Sequence, residues 1–325
     1  MRAAWYEGFG PARQVLNLGE MEDPEPGAGE VLVRLHASGI NPSDVKLRAG
    51  ARPGATMAFP RIVPHSDGAG VVVALGDGVD AFSEGDRVWV ANAGWQRAFG
   101  TAAELVALPA DLVAPLPEGT SFAEGACLGI PALTAWYALA GDGPIEGQTV
   151  LVTGGAGSVG RYACQMAGLL GARVITTVSS GEKAAHSGAA DWINYRTEDV
   201  AARIMAMTGG AGVDRVVDVD FAANQATSLA VLKPGGVIAS YASASVMRPE
   251  LDFYGLMFRD ITLRMLIVYQ LQGPERARGM AQISAWLRAG ALNHAVVPGG
   301  GLDDVAVAHE MAEAGEKLGT VVLEF

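Results

Sequence analysis

The sequence predicts an α/β protein of two domains, a β-rich domain followed by one that holds a parallel sheet. Three observations support this prediction. The chain has 325 residues, and a domain usually has about 150. Short β-branched runs separated by turns fill roughly the first 120 residues. From about residue 123, apolar strands alternate with helix-like segments, which is typical of a parallel sheet covered on both faces.

The first domain is predicted from strand-like runs that turn-forming residues interrupt. Its apolar, β-branched runs are Val31–Leu35, Gly70–Leu75 and Arg87–Val90. Proline, glycine and aspartate separate these runs at Pro24–Gly27, Gly76–Gly78 and Gly85–Asp86. Because those residue types favour turns, the pattern indicates a compact all-β or barrel-like domain.

The second domain is predicted from regular alternation. Apolar strands are predicted at Thr149–Thr153, Arg173–Val178, Asp214–Val219 and Val237–Tyr241. The helices between them are predicted at Val159–Leu170, Val200–Met207 and Ala222–Leu232. Two further helices and a last strand are predicted at Ala277–Ala289, Val305–Ala314 and Gly319–Phe325. The pattern alone leaves open to which domain these last three segments belong.

Composition excludes several classes of function. The chain carries 23 Lys and Arg against 35 Asp and Glu, a net charge of −12. This balance argues against nucleic acid and anionic membranes as partners, since both require a basic surface. The best apolar run, Ile261–Leu271, is interrupted by Arg264 and is too short to span a membrane. Glu7 and Gly8 stand where a signal peptide would have its apolar core, so we expect a cytoplasmic protein.

A glycine-rich turn is the sharpest local motif. Gly155, Gly157 and Gly160 fit the pattern G-x-G-x-x-G between a predicted strand and a predicted helix. Such glycines let the backbone approach a pyrophosphate, and the helix N-terminus offers N–H groups to the phosphates. The alternative is an ordinary strand-to-helix turn. The predicted cofactor-binding residues of this turn are Gly155, Ala156, Gly157, Ser158, Val159 and Gly160.

The residues after the second strand favour NADPH over NADH. An NAD site usually places a carboxylate there to bind the ribose 2′-hydroxyl. This chain has Ser179 and Ser180, then Lys183, with Tyr195 further along. Two hydroxyls, a cation and a phenol suit a 2′-phosphate. Glu182 argues the other way because it could turn inward, and Lys183 and Tyr195 could instead be surface and packing residues.

Further motifs run along nearly the whole chain: Gly39–Asp44, Pro64–Gly70, Gly85–Val88, Gly129–Ala135 and Ile193–Tyr195. Together with the glycine turn they resemble the zinc-free quinone oxidoreductase, or zeta-crystallin-like, branch of the medium-chain dehydrogenase/reductase superfamily. The resemblance implies a GroES-like, β-rich catalytic domain of residues 1–124 with 290–325. It also implies a Rossmann domain, a doubly wound parallel sheet that binds NADP, of residues 125–289. The active site would lie in the cleft between them, and homodimers would form through the edge strand Thr262–Tyr269.

The resemblance also assigns roles residue by residue. Gly155, Ala156, Ser158 and Val159 match the pyrophosphate turn, and Ser179, Lys183 and Tyr195 match positions that bind the 2′-phosphate. Asn41 and Thr134 match residues beside the nicotinamide. Lys317 matches loosely a tail position that offers a polar or basic group to the cofactor. Many members have a lysine just before the last strand, where this chain has Thr320.

The resemblance bears on zinc as well. Zinc-dependent relatives hold their catalytic ion with Cys, His and Cys, and the matching positions here are Asn41, Ser66 and Ile130. His65 lies one position away, on the other side of an extended segment. Because catalytic zinc needs three N, S or O ligands, no metal is predicted. Cys127 and Cys164 are predicted to be buried packing residues, and two cysteines exclude a disulfide scaffold.

A site without a metal lacks the Lewis acid that ionises an alcohol, so an electron-poor acceptor is expected. The predicted reaction is hydride transfer from NADPH to a quinone or an α,β-unsaturated carbonyl. Asn41 is predicted to donate a hydrogen bond to the acceptor's carbonyl, or else to be a turn residue. Lys46 stands where several relatives have a tyrosine, so it supplies a proton, solvent does, or Lys46 is a surface residue. His65 is a further candidate acid, or a structural hydrogen-bonding residue.

Two other classes of function stay open from the sequence. One is a different metal-free reductase of the same fold, for example one that acts on enoyl thioesters. The other is a protein that binds NADPH without turnover. The segments Ala91–Thr101 and Ser243–Phe258 are predicted as loops that would shape the substrate pocket. Trp95, Phe253 and Phe258 would line it, although core packing explains such aromatic residues equally well.

Overall fold

The structure, a computed structural model, describes residues 1–51, 54–271 and 273–325. The strands in these residues are β1 Arg2–Trp5, β2 Asn17–Glu20, β3 Glu30–Ile40, β4 Asp67–Leu75, β5 Arg87–Val90, β6 Leu105–Pro109, β7 Val113–Pro115, β8 Thr149–Thr153, β9 Arg173–Val178, β10 Asp191–Asn194, β11 Val213–Asp218, β12 Leu232–Ser240, β13 Thr262–Met265, β14 Val296–Pro298 and β15 Thr320–Glu324. The helices are α1 Ala12–Val15, α2 Pro42–Arg48, α3 Phe122–Gly125, α4 Gly129–Ala140, α5 Ser158–Leu169, α6 Gly181–Ser187, α7 Val200–Met207, α8 Phe221–Val231, α9 Phe253–Met257, α10 Gly273–Arg288 and α11 Val305–Ala314. Within these described stretches, no helix has the length and apolar character needed to cross a membrane.

The chain divides into two compact units, Met1–Ile130 with Gln272–Phe325, and Pro131–Leu271. This division differs from the predicted bounds, which placed residues 125–130 and 272–289 with the second domain. Helix α10 belongs to the first unit because Trp89 Nε1 donates to Ser284 Oγ at 3.1 Å. The Ser284 hydroxyl donates in turn to the carbonyl of Pro115 at 3.0 Å. The sequence pattern of α10 indicates a helix but does not say which sheet it packs on.

The first unit is β-rich, as predicted. Its larger sheet has the order β14-β15-β3-β4-β5-β7, with β6 also paired to β3, and β1 pairs with β2 separately. Strand β3 is eleven residues long, and its register with β4 shifts twice along its length. Residues 30–34 of β3 also pair with β6, and residues 37–40 pair with β15. The side chains that fill this sheet's core are mainly valines and leucines, including Val31, Val33, Val72, Val88, Val106 and Leu108.

The second unit is the doubly wound parallel sheet that was predicted. Its order is β10-β9-β8-β11-β12-β13, with every pair parallel. Counted from β8, this is the order 3-2-1-4-5-6 of dinucleotide-binding sheets. The order reverses between β8 and β11, and ligands of such sheets bind beyond the carboxyl ends of the strands at this reversal. Each strand from β8 to β12 contributes a fully buried aliphatic residue: Leu151, Ile175, Ile193, Val216 and Ile238.

Two predicted segments differ from what the structure shows. The edge strand predicted at Thr262–Tyr269 ends at Met265, and a short 3-10 turn follows at Val268–Gln270. The segment Ser243–Phe258, predicted as a loop, contains helix α9. Asp252 caps this helix by accepting the N–H of Gly255 at 2.9 Å. A helix of five residues is too short to leave a periodic pattern in the sequence.

Candidate active site

The glycine turn lies between β8 and α5, at the carboxyl end of the central strands. A Cβ on Gly155 would lie 2.0 Å from Thr176 Oγ1, and one on Gly160 would lie 2.3 Å from the carbonyl oxygen of Gly154. Both contacts are too close for any other residue, so the turn lies directly on β9 and α5 lies directly on the turn. A Cβ on Gly157 would meet only the Gly154 oxygen, at 3.4 Å. The space beside the second glycine of the motif is therefore open, as a pyrophosphate requires.

Two threonines of β9 hold this turn in place. The N–H of Gly155 donates to the carbonyl of Thr177 at 3.1 Å, and that of Gly154 to Thr177 Oγ1 at 3.2 Å. Thr176 Oγ1 donates to the carbonyl of Val152 at 2.8 Å. These hydrogen bonds within the protein hold the turn against β9. Sequence reasoning missed both threonines, although two hydroxyl residues in an otherwise apolar strand were a signal.

The residues predicted to bind the 2′-phosphate follow the carboxyl ends of β9 and β10, two neighbouring strands. Ser179 follows β9 directly, and Tyr195 follows β10. Asn194 pairs with Val178 in the ladder, and the N–H of Tyr195 donates to the carbonyl of Val178 at 3.1 Å. The Tyr195 side chain is 50% exposed.

Ser180 begins α6 and accepts the N–H of Lys183 on its Oγ at 3.3 Å. This cap uses the hydroxyl as an acceptor, so its proton can still be donated to an anion. Lys183 is half-buried, and Glu182 in the same helical turn is exposed. The structure therefore places Ser179 and Tyr195 at neighbouring strand ends and Ser180 and Lys183 at the start of α6, with an acid beside the lysine.

A buried carboxylate at the same edge was missed by sequence reasoning. Asp218 ends β11 and is 1% exposed. It accepts hydrogen bonds from Thr153 Oγ1 at 3.0 Å, Asn224 Nδ2 at 2.8 Å and Ser240 Oγ at 2.9 Å. These donors tie β8 and β12 to β11 at the point where the strand order reverses. The only sequence signal was an acid at the end of an apolar strand.

In the first unit, Asn41 joins two buried acids. It precedes α2, and its backbone N–H donates to Asp44 Oδ2 at 2.8 Å. Its side-chain Nδ2 donates to Asp67 Oδ2, also at 2.8 Å. Asp67 accepts the backbone N–H of Ile130 as well, at 2.8 Å, near the start of α4. The positive end of that helix favours a carboxylate at this place.

Burial controls the charge of both acids. It raises the pKa of Asp44 to about 7, against the hydrogen bonds from Asn41 and Ser66, which lower it. It raises the pKa of Asp67 well above its usual range, although the Ile130 N–H opposes this. Asn41, 2% exposed, is thus held by acids on two sides. Its side-chain amide donates to Asp67 and also hydrogen-bonds to Asp44, so its predicted catalytic role requires an amide proton to turn from Asp44 to the substrate.

The residues at the zinc-ligand positions do not fit a zinc ion. The Asn41 amide nitrogen faces Asp67, the Ser66 hydroxyl bonds to Asp44, and the Ile130 side chain is a hydrocarbon. Over the described ranges, no group of three or more His, Cys, Asp and Glu side chains is placed to hold a metal ion. Cys127 and Cys164 are buried, as predicted. Burial raises the pKa of Cys127 to about 12 and that of Cys164 to about 11, so both thiols stay protonated at neutral pH.

The remaining predicted residues lie as follows. Lys46 is exposed in the last turn of α2, and Lys317 is exposed between α11 and β15, both in the first unit. Thr134 is buried in α4, in the second unit. Phe258 is 79% exposed, so core packing does not account for it. The functional roles of Lys46, Lys317 and Thr134 stay predictions.

His65 is buried and belongs to a hydrogen-bonded chain. Its Nδ1 lies 2.8 Å from Ser38 Oγ, and its Nε2 lies 2.8 Å from Nε2 of His309. His65 also has a positive φ of 75°. Of the two roles considered from the sequence, structural hydrogen bonding is the one that this geometry favours.

Two family models match the chain. The model described as alcohol dehydrogenase GroES-like domain matches residues 27–118, and the one described as zinc-binding dehydrogenase matches residues 158–286. A quinone oxidoreductase of Sus scrofa is 30% identical over 294 residues, which cover 88% of this chain and 86% of the relative. The match to the zinc-binding dehydrogenase model, at residues 158–286, does not include the three zinc-ligand positions Asn41, Ser66 and Ile130.

Solved structures show the same likeness. Escherichia coli quinone oxidoreductase in complex with NADPH has a TM-score of 0.85 and 27% identity, with both chains fully covered. A 2-haloacrylate reductase has a TM-score of 0.86 and 29% identity, covering 100% of this chain and 99% of the other. An NAD-dependent alcohol dehydrogenase has a TM-score of 0.88 and 30% identity, with both chains fully covered.

Proposed function

Since this chain belongs to the quinone oxidoreductase branch of the medium-chain dehydrogenase/reductase superfamily, we propose that it is an NADPH-dependent reductase of quinones or α,β-unsaturated carbonyl compounds. The observation that carries this proposal is the fixed glycine turn with the hydroxyl, lysine and tyrosine side chains at the neighbouring strand ends. The quinone oxidoreductase and 2-haloacrylate reductase names of its relatives support an electron-poor acceptor.

The phosphate groups of the cofactor would be held by residues of the second unit. The turn from Gly155 to Gly160 would bind the pyrophosphate, and Ser179, Lys183 and Tyr195 would bind the 2′-phosphate. When bound, NADPH supplies a hydride from its nicotinamide ring. The protein's part is to orient the cofactor and acceptor and to stabilise the charge that grows on the acceptor's oxygen.

The proposed reaction uses no zinc. In a zinc-dependent site the ion acts as the Lewis acid that ionises an alcohol, and the side chains of Asn41, Ser66 and Ile130 do not form a zinc site. A quinone or an activated alkene accepts hydride without that help. The likeness to an NAD-dependent alcohol dehydrogenase therefore supports the fold and does not extend to that reaction.

Asn41 is the proposed donor to the acceptor's carbonyl. Asp67 accepts one of its amide protons and so sets the plane of the amide group. The Asn41 side chain also hydrogen-bonds to Asp44, and the proton on that side is the one proposed to turn to the substrate oxygen. The proton that completes the reduction comes from Lys46, which is exposed, or from solvent.

We also propose that a second copy of this chain covers one face of the second unit. Edge strand β13 and helix α9 present large apolar side chains to solvent, which are Phe253, Tyr254, Met257, Phe258 and Met265. Exposed apolar patches and unpaired strand edges mark association surfaces. Placement in the cytoplasm stays a prediction.

The test is NADPH consumption with a panel of quinones, enones and enoyl thioesters, run with and without a metal chelator. Oxidation of secondary alcohols with NADP⁺ is measured beside it. We expect turnover with quinones or enones that the chelator does not change. NADPH binding without any turnover would identify a binding protein, and alcohol oxidation that the chelator abolishes would contradict the metal-free proposal.

A further inference from the structure

A buried chain of hydrogen bonds in the first unit links helix α11 to the residue that holds Asn41. Thr101 Oγ1 donates to the backbone carbonyl of Asp67 at 2.6 Å, and Ser38 Oγ lies 2.8 Å from Thr101 Oγ1. His65 Nδ1 lies 2.8 Å from Ser38 Oγ, and His65 Nε2 lies 2.8 Å from His309 Nε2. All five residues are buried.

The donor and acceptor chemistry of these groups allows only one direction for the hydrogen bonds, from His309 to Asp67. A carbonyl oxygen only accepts, so the single hydroxyl proton of Thr101 points at Asp67. Ser38 must then donate to Thr101, and because its one proton is used, His65 must donate through Nδ1. A neutral His65 leaves Nε2 bare, so His309 donates through Nε2 and keeps Nδ1 without a proton. His309 Nδ1 is buried and has no hydrogen-bond partner in the described part of the chain, which suits an atom without a proton better than an N–H group.

The charge state agrees with this direction. Burial lowers the pKa of His65 well below its usual value, and the neighbouring His309 lowers it further. Burial lowers the pKa of His309 to about 3, with Arg48 contributing. Both rings are therefore neutral at neutral pH. Each ring therefore has one N–H group, as the direction of the hydrogen bonds from His309 to Asp67 requires.

The backbone at His65 is held away from its ordinary conformation. A φ of 75° is uncommon for a residue other than glycine and is kept only where surrounding contacts enforce it. Here both ring nitrogens are bonded, and the His65 carbonyl accepts the N–H of Thr101 at 3.1 Å. Backbone N–H groups of Ala102 and Ala93 also donate to the carbonyls of Pro64 and Ser66, at 3.1 and 2.9 Å. The two histidine rings therefore add side-chain support to a segment that backbone hydrogen bonds also hold.

We propose that His65 and His309 are a positioning pair for the active site: their fixed tautomers support the backbone of Asp67, whose carboxyl group orients the amide of Asn41. The two histidines are 244 residues apart in sequence. Helix α11 therefore supports Asp67, the first residue of β4. This inference rests on the proposed catalytic role of Asn41, but the hydrogen-bond chain can be tested without activity.

The first test is the protonation of the ring nitrogens, read by ¹⁵N-labelled histidine NMR of the full chain. We expect His65 to carry its proton on Nδ1 and His309 on Nε2. Resonances are assigned by their loss in His65→Gly and His309→Gln. The opposite tautomer on either ring, or a ring in exchange between tautomers, would overturn the proposal.

The second test uses two substitutions at position 309. His309→Gln keeps an N–H that can donate to His65, whereas His309→Leu removes it at similar volume. We expect His309→Leu to move the side-chain amide resonance of Asn41 and to lower kcat about tenfold to a hundredfold. Its Kd for NADPH should not change, because the glycine turn is in the other unit. His309→Gln should stay within about threefold of wild type in kcat.

A folded His309→Leu variant with the Asn41 resonance and kcat of wild type would overturn the proposal. If His309→Leu fails to fold, His65→Gly replaces it, since glycine adopts the positive φ and lacks the ring. It should likewise move the Asn41 resonance. If the wild type reduces no acceptor, the proposed function fails, while the tautomers and the Asn41 resonance still decide this inference.

Discussion

At the scale of single residues, cofactor choice depends on two neighbours in the first turn of α6. Lys183 is half-buried and its backbone is fixed by the Ser180 cap, whereas Glu182 is exposed. A 2′-phosphate would be attracted by the first side chain and repelled by the second. The 2′-hydroxyl of NADH has no charge for either to act on.

Lys183→Ala should weaken NADPH binding about tenfold, because a hydrogen bond to a charged group contributes about 1.5 kcal/mol or more. NADH binding should stay nearly unchanged. Glu182→Ala is the matched control in the same turn and should leave NADPH binding equal or tighter. Isothermal titration of both cofactors measures this. A wild type that binds NADH more tightly than NADPH contradicts the prediction.

Asn41→Ala should lower kcat by about 10² to 10³, the usual cost of losing one donor to a developing oxyanion. The decrease in kcat would be smaller if the site is exposed and a water molecule replaces the amide group. NADPH affinity should change little. Because the variant also takes a donor from buried Asp67, thermal unfolding is measured beside the kinetics. Full turnover in a folded variant would leave Asn41 with only its structural role.

At the scale of elements, the glycine turn depends on close contacts that other residues cannot make. Gly155 lies on Thr176, whose hydroxyl is bonded to Val152 and cannot move aside without losing that bond. The conformational freedom of glycine is not the reason at this position, since its φ is ordinary. Lack of space for a Cβ is the reason.

Gly155→Ala should lower the free energy of unfolding by about 1 to 3 kcal/mol, the usual cost of overpacking. It should also weaken NADPH binding, because the turn must shift. Gly168→Ala in α5 is the matched control, since nothing lies within 4 Å of its added Cβ. That control should stabilise the protein by up to about 1 kcal/mol and leave binding unchanged. Chemical unfolding and titration measure both, and equal behaviour of the two variants would contradict this account.

The sequence predicted β8, β9 and α7 with the bounds that the structure has, because their runs are apolar and turns delimit them. Contacts between distant residues could not be predicted in this way. Ser284 fastens α10 to Trp89, 195 residues away. Two of the donors to Asp218, Thr153 and Ser240, come from strands that only the topology makes neighbours.

For the same reason, the sequence predicted some site residues together with their neighbours and others without them. Those after β9 and β10 lie together because parallel strands end at one edge. Asn41 was predicted from its motif, but its two acidic partners and the paired histidines were not, since only the folded chain brings them together.

At the scale of the whole molecule, the exposed face of α9 and β13 should make the protein a dimer. Phe258→Asp should give monomers, because it places a charge in a contact that would otherwise be apolar. Leu169→Asp, also an exposed apolar residue of the second unit, is the control and should leave the dimer intact. Sedimentation velocity distinguishes the two states. A monomeric wild type at micromolar concentration would contradict the prediction.

The central claim is that the enzyme reduces an activated acceptor with hydride from NADPH, and isotope transfer tests it most directly. The enzyme, treated with a chelator, is given an enone and NADPH that carries deuterium at C4 of the nicotinamide, in separate reactions for the two C4 epimers. Mass spectrometry and NMR locate the label in the product. We predict that one epimer leaves one deuterium per product molecule on the β-carbon, with one equivalent of NADPH consumed. A product without deuterium from either epimer, or turnover that requires an added metal, would contradict the account.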